Sequence, residues 1–311
     1  MTNDRCLVIG GSGFLGSHLC RALMLQGSEV NVLSRKVEAI SCAQCTNFFQ
    51  GSLQNSESLR AAIAGCNTVY HLGSSHIPST SNLDPNGDIE INLKGAITLI
   101  EAALEAKISK LIFASSGGTV YGVQSSMPIS EDARTNPICS YGIVKLSIEK
   151  YLHMYSSLYG LDYCALRISN PFGEGQGYGG RKQGAISNFI SKHLQGEKVE
   201  IWGDGSTIRD YIYVGDVISA FLKAKDYTGD HKVLNIGTGV GRSILQIIGS
   251  VEQISDCSME RVFKPSRLLD VPRNVLDINL ARRELDWQPI ISWEEALERT
   301  YFYLKREYLK D

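Results

Sequence analysis

Gly10-Gly11-Ser12-Gly13-Phe14-Leu15-Gly16 stands directly after an apolar run and directly before an amphipathic one, and no other stretch narrows the fold as much. Glycines spaced three residues apart permit a tight turn and let backbone N–H groups at a helix N-terminus approach a pyrophosphate. A glycine triplet alone is a weak signal. The strand before it, the helix after it and its place in the first βα unit make it strong. Gly10, Gly13, Phe14, Leu15 and Gly16 are therefore the first candidate cofactor-binding residues.

The alternation that begins there continues. Strand candidates at 6–9, 29–33, 47–49, 68–71, 110–114 and 162–167 are separated by helical patterns at 14–26, 56–64, 88–106 and 141–159. Such alternation predicts an α/β fold, a Rossmann-like doubly wound parallel sheet covered on both faces. After residue 169 the texture changes. Residues 170–184 are glycine-rich and suit a mobile loop. A helix near 184–195, a strand pair at 199–202 and 209–214, a helix at 216–226, a strand at 233–236 and helices near 243–255 and 292–310 follow. We expect a dinucleotide-binding domain at 1–168, with 212–240 returning to it, and a smaller interleaved C-terminal substrate lobe at 169–211 and 241–311.

The 311 residues are 43% apolar and 21% charged, ordinary globular figures, and the net charge of −2 leaves no basic excess for a nucleic acid. No stretch reads as a membrane span, and residues 1–10 carry no secretory signal, so the expected compartment is the cytoplasm. Of eight cysteines only Cys42 and Cys45 form a C-x-x-C, and no second pair or nearby histidine completes a zinc site. No metal is expected.

The end of the second strand discriminates between cofactors. An acid there would bind the ribose 2′-OH of NAD, whereas an arginine suits the 2′-phosphate of NADP. Here Ser34-Arg35-Lys36 supplies a hydroxyl and a guanidinium, so NADP(H) is favoured over NAD(H). His71-Leu72 follows the fourth strand and places Leu72 at the crevice.

Tyr141 and Lys145 are spaced i, i+4, which puts them on one helix face. A phenol titrates near ~10, and a neighbouring ammonium favours its phenolate, making the pair a proton donor and acceptor beside a carbonyl or hydroxyl. Ser115-Ser116-Gly117-Gly118-Thr119 leaves the fifth strand and brings hydroxyls to a strand's carboxyl end, where α/β sheets place their sites.

With these pieces assembled, the chain resembles an extended short-chain dehydrogenase/reductase of the nucleotide-sugar epimerase/dehydratase type. The matching stretches are the glycine turn, His71-Leu72, Asn92, Ser115 to Gly122, Tyr141 with Lys145, Asn170-Pro171-Phe172-Gly173, Arg209-Asp210-Tyr211 and Arg267-Leu268-Leu269-Asp270. The resemblance implies that Tyr141 is the catalytic acid/base and that Lys145 holds the nicotinamide ribose and lowers the tyrosine pKa. It also implies that Ser115 borders the cofactor, that Asn170 touches the substrate's nucleotide, and that Arg209 and Arg267 grip its diphosphate. A homodimer through the helices at 88–106 and 141–159 is implied on the same ground.

In family members that eliminate water, acids precede the Val-Tyr-Gly; here the positions are Gly117, Gly118 and Thr119, which excludes dehydratase and decarboxylase chemistry. The family's usual catalytic hydroxyl falls on Gly117, leaving Ser116 or Thr119 to bind the reacting oxygen. The expected activity is reduction of the 4-keto group of a nucleoside-diphosphate 4-keto-6-deoxyhexose, of the dTDP-4-dehydro-6-deoxyglucose kind, in deoxysugar and surface-polysaccharide biosynthesis. A 4-epimerase of UDP-glucose or UDP-GlcNAc type is the alternative, and a non-catalytic NADP(H) sensor the second.

Overall fold

Parallel strands buried on both faces must be apolar at nearly every position, and the runs that open the chain meet that demand. In the computed structural model, which describes residues 4–35, 45–177, 184–267 and 271–310, they form one sheet. Its strands are β1 (Arg5–Ile9), β2 (Glu29–Ser34), β3 (Asn47–Gln50), β4 (Thr68–His71), β5 (Lys110–Ser116), β6 (Tyr163–Ile168) and β10 (Val233–Ile236). They pair in the order β10-β6-β5-β4-β1-β2-β3, all parallel. The order reverses between β1 and β4, so a crevice opens at their carboxyl ends.

The pleat sorts the side chains. Cys6, Val8, Tyr70, Ile112 and Leu166 pack on the face covered by α1 (Phe14–Leu25) and α7 (Val214–Asp226). Leu7, Ile9, Val69, Leu111 and Phe113 pack on the other face, under α2 (Ser56–Ile63), α4 (Lys94–Glu105) and α5 (Ser140–Tyr159). Local chemistry sets the helix ends: the Asn55 side chain accepts from the Glu57 and Ser58 N–H groups to start α2, and Gly160 at φ +73° ends α5.

The expected helix over 88–106 is interrupted. A short α3 (Pro85–Asp88), capped by Asp84, runs into a π-turn at Ile89–Leu93 before α4 begins. The widened turn buries Asn92, whose amide donates to Asp88 at 2.7 Å.

Beyond β6 the chain builds two small sheets. One contains β7 (Asn170–Phe172), β9 (Ile208–Tyr213), β11 (Gly241–Ser243) and β13 (Arg273–Asn274); the other pairs β8 (Val199–Trp202) with β12 (Arg261–Lys264). Two expectations are corrected here. Residues 170–172, read as loop, form β7 because they pair with β9, and the strands at 199–202 and 208–213 belong to different sheets. Of the glycine-rich stretch, 178–183 lie outside the described residues, as do Lys36, Cys42 and 268–270. Helices α6 (Ala185–Leu194), α8 (Ile244–Ser255), α9 (Asn279–Glu284) and α10 (Trp293–Tyr308) complete this part. Their apolar faces join the α1/α7 side of the large sheet, so one hydrophobic cluster runs from Val8 to Leu304 without a break.

Among the described residues no helix is long and apolar enough to cross a membrane, and no group of His, Cys, Asp and Glu could hold a metal ion. Cys6, Cys66 and Cys164 are buried without disulfides, and burial pushes the Cys66 thiol up to about 11, the mark of packing thiols and not reactive ones.

Candidate active site

The glycine turn has the close approaches expected of a cofactor cradle. Gly10 sits at φ +82°, and a Cβ there would lie 2.9 Å from the Gly73 backbone. A Cβ on Gly16 would lie 2.1 Å from the Gly10 carbonyl oxygen, so only glycine lets α1 start this close to β1. Gly13 is the N-cap of α1 and offers no side chain to its first-turn N–H groups. Those donors, with the positive end of the helix dipole, fit a pyrophosphate. Phe14 and Leu15 open α1 and Leu72 follows β4, all three packed against the core, while the Ser34 hydroxyl lies 2.7 Å from that of Ser12. Ser34 is thus tied back to the glycine turn, and Arg35 beyond it is exposed.

At the carboxyl end of β5 the chain turns sharply. The Gly117 N–H donates to the Ile168 carbonyl at 2.8 Å, and the Asn274 amide donates to the Gly117 carbonyl at 3.0 Å. A Cβ on Gly117 would fall 2.5 Å from Leu276 and 2.9 Å from the Arg167 carbonyl. No side chain fits. At Gly118 a Cβ would meet only the Asn170 and Ser116 side-chain oxygens, each at 3.9 Å. The space in front of Gly118 is therefore open and bordered by two of the expected site residues.

Helix α5 reaches this turn because Gly142 lacks a side chain; a Cβ there would lie 2.9 Å from the Thr119 carbonyl. The contact seats Tyr141 against Ser116. Burial pushes the Tyr141 phenol well above its ordinary value, the Cys139 and Asp88 charges add to that, and a hydrogen bond with Ser116 opposes it. One turn along, Lys145 is buried, with its ammonium 5.5 Å from the Tyr141 ring centroid and 4.7 Å from that of Phe113. It donates to the Ala114 carbonyl at 2.8 Å. Burial pulls Lys145 down to about 8, against the pull of Asp88 and Glu149. In the protein alone desolvation dominates both groups, in opposite directions.

Not every expected residue converges. The Ser115 hydroxyl donates to Glu149, whose carboxylate also takes Nε and Nη2 of Arg167, the latter at 2.7 Å. Thr119 Oγ1 is buried without a hydrogen-bond partner. The Asn170 amide donates to the Asp210 carbonyl at 3.1 Å, and Arg209 on β9 donates to the Ile208 carbonyl at 2.9 Å. Arg267 is exposed, its guanidinium 3.7 Å from the Trp202 ring centroid.

Sequence reasoning passed over Asp88, which is wholly buried and joins Asn92 to the Ser140 hydroxyl at the head of α5. Glu149 was also missed, although it lies four residues beyond Lys145 on the same helix face and the spacing could have revealed it.

Residues 6–237 match the model of the NAD dependent epimerase/dehydratase family. The chain is 33% identical over 313 residues to a UDP-glucose 4-epimerase of Mycolicibacterium smegmatis, covering 97% of this chain and 99% of that one. It is 30% identical over 302 residues to a dTDP-4-dehydro-6-deoxyglucose reductase of Escherichia coli, covering 94% and 95%. The structure of a UDP-glucose 4-epimerase from Thermotoga maritima with UDP-glucose superposes with a TM-score of 0.93 at 35% identity, over 98% of this chain and 99% of that one. The likeness favours the epimerase alternative over the reductase first expected. A glycine turn shaped for a dinucleotide, a half-buried tyrosine beside a buried lysine and similarity along the whole length agree: the chain is an enzyme of the extended short-chain dehydrogenase/reductase type and belongs to the NAD dependent epimerase/dehydratase family.

Proposed function

We propose that the protein is a nucleoside-diphosphate-sugar 4-epimerase that works with NAD(H) on a UDP-hexose. The observation that carries this reading is the turn at 116–119 beside Tyr141. It offers hydroxyls to a sugar oxygen and no carboxylate to drive elimination, so an oxidised sugar has only one course, to regain its hydrogen. The choice of inversion over net reduction is supported by the likeness to UDP-glucose 4-epimerases.

In this reading Gly10, Gly13, Phe14, Leu15, Gly16, Ser34 and Leu72 border the cofactor, Ser115 is turned to Glu149 instead, and residues 1–168 with 212–240 form the domain that holds it. When bound, NAD supplies a reversible acceptor for hydride. Tyr141 takes the proton of the sugar C4 hydroxyl and later returns it to the same oxygen, so the reaction consumes no proton and no reductant. Ser116 holds that oxygen by hydrogen bond, and Thr119, with its unsatisfied hydroxyl, lies one turn away. Lys145 keeps positive charge beside the phenol in a water-poor pocket, where charge acts strongly. Asn170, Arg209 and Arg267 bind the nucleotide and diphosphate from the remaining lobe. A second copy of the chain would cover the outer face of α5, where Ile143 and Leu158 are 52% and 65% exposed.

The reductase reading keeps one observation in its favour, the exposed Arg35 just beyond the end of β2, a residue type that suits a 2′-phosphate. The experiment is to incubate purified protein with UDP-galactose and no added cofactor, then analyse the sugars. UDP-glucose should form with no net change in reduced-nicotinamide absorbance. Stoichiometric loss of NADPH with dTDP-4-dehydro-6-deoxyglucose, and no interconversion, would establish the reductase instead. Silence in both would leave a sensor.

A further inference from the structure

The helix that carries Tyr141 and Lys145 does not cap itself. Cys139 precedes α5 and makes no side-chain bond to its first turn. The Ser140 N–H instead donates to the Asn82 side-chain oxygen at 2.8 Å, and the Tyr141 N–H to the Ser81 hydroxyl at 3.1 Å. Donors that a local cap would meet are thus met from 58 and 60 residues away. The Ser140 hydroxyl in turn donates to Asp88 at 2.8 Å. All three contacts come from the stretch between Ser81 and Asp88.

Asp88 is wholly buried, and its hydrogen-bond donors, the Asn92 amide and the Ser140 hydroxyl, are neutral. His76 Nδ1 lies 3.8 Å from its Oδ1, but that nitrogen is 2.9 Å from the Ser75 hydroxyl, and the ring's Nε2 faces Asp84 at 3.9 Å. From α5, Cys139, Tyr141 and Lys145 all feel the Asp88 charge. Lys145 makes no ion pair among the described residues; its ammonium donates to the Ala114 carbonyl and lies over the Phe113 ring. Two buried carboxylates act on it, Asp88 and Glu149. Glu149 is already matched by Arg167 at 2.7 Å. Asp88 has no lysine or arginine within ion-pair distance among the described residues, so its charge is left over, and in a water-poor interior such a charge acts strongly.

We infer that Asp88 is a positioning residue for the tyrosine–lysine pair: it seats the head of α5, and Tyr141 with it, and supplies the buried negative charge that balances the Lys145 ammonium. This rests on the proposed proton chemistry of Tyr141 and adds a residue that the spacing of the pair does not reveal. The two parts separate by mutation. Asp88→Asn removes the charge and keeps the shape and both hydrogen bonds, because the Ser140 hydroxyl can accept as well as donate. Ser140→Ala keeps the charge and removes the contact to the helix. Burial pulls Lys145 down and Asp88 pulls it up, so without that charge the ammonium is lost at lower pH.

The test measures kcat and KM against pH, with melting temperatures, for wild type, Asp88→Asn and Ser140→Ala. The substrate is UDP-galactose or, if wild type reduces and does not epimerise, dTDP-4-dehydro-6-deoxyglucose with NADPH, since both reactions use the same pair. Asp88→Asn should move the alkaline limb of kcat/KM down by about one pH unit. It should also lower kcat by about 10-fold at the optimum and leave KM within about 2-fold. Ser140→Ala should keep the limb where wild type has it and still lower kcat by about 3–10-fold. If Asp88→Asn yields no folded protein, Asp88→Ser, smaller and equally uncharged, is read in the same way. An active wild type whose uncharged variant keeps its limb in place, however slow, would make Asp88 merely structural and overturn the inference while sparing the function. So would a Ser140→Ala enzyme as fast as wild type. A wild type inactive with both substrates would overturn the function and the inference together.

Discussion

Ser115 and Ser116 are neighbours at the end of β5, yet their hydroxyls engage α5 two turns apart: Ser115 donates to Glu149, and Ser116 is hydrogen-bonded to Tyr141. One serine fastens the strand to the helix, and the other serves the pocket. The two roles separate by mutation. Ser115→Ala should cost about 1.5–3 kcal/mol by denaturant melts, because a hydrogen bond to a buried charge is lost, while turnover of the folded fraction holds. Ser116→Ala should leave the melt unchanged and lower kcat by about 10–100-fold. The reverse pattern would exchange the assignments.

Lys145 sits at about 8 because burial disfavours its ammonium. As pH rises through that value the positive charge beside the phenol is lost. A pH profile of kcat/KM should therefore fall above pH 8, roughly tenfold per unit. Lys145→Met should be slow throughout and lack that limb. An alkaline limb of the same position in Lys145→Met would assign it to another group.

His71, buried on the Phe113 ring with Nδ1 unpartnered, is pulled to about 3 by desolvation, with Lys145 adding to the shift. The unfolded chain takes that proton near pH 6.5 and the folded chain refuses it until about pH 3. Stability is therefore full above pH 6.5 and declines as pH falls through the window between the two values. At pH 4.5 the loss amounts to as much as about 2–3 kcal/mol. His71→Phe should flatten this part of the curve relative to wild type. Parallel curves for the two proteins would remove His71 as the cause.

The paired glycines of the β5 turn differ in what they tolerate. Gly117→Ala should destabilise by about 1–3 kcal/mol, since its Cβ meets Leu276 and the Arg167 carbonyl. Gly118→Ala should melt like wild type but narrow the space between Ser116 and Asn170, raising KM for the sugar. Equal melting temperatures for both variants would contradict the packing.

Arg35→Ala should weaken NADPH more than NADH if the exposed guanidinium meets a 2′-phosphate. With NAD(H) as the working cofactor, the expected result is a change of less than about 2-fold for NADH. A large loss for NADPH alone would return the case to the reductase.

Much of the fold was legible because parallel strands and their helices write strong periodic signals; β4 at Thr68–His71 matches its expected limits. The tyrosine–lysine pair and the glycine turn were legible because the chemistry demands fixed short spacings. What escaped depends on partners far apart in the chain. β7, β11 and β13 are two or three residues long and exist only through pairing with β9. Asp88 meets Ser140 across 52 positions, and Arg242 meets Trp293 across a fold no local pattern encodes. The cofactor preference read from Ser34 and Arg35 missed that Ser34 is already bonded to Ser12.

The unbroken hydrocarbon from Val8 to Leu304 has a bearing on engineering. Grafting the sugar-recognising part of a cousin onto this sheet would leave Phe172, Ile212 and Leu297 facing strangers, so specificity is better altered by point changes along the crevice wall. A chimera cut at residue 169 should express as aggregate, while single exchanges at the rim keep one cooperative melt.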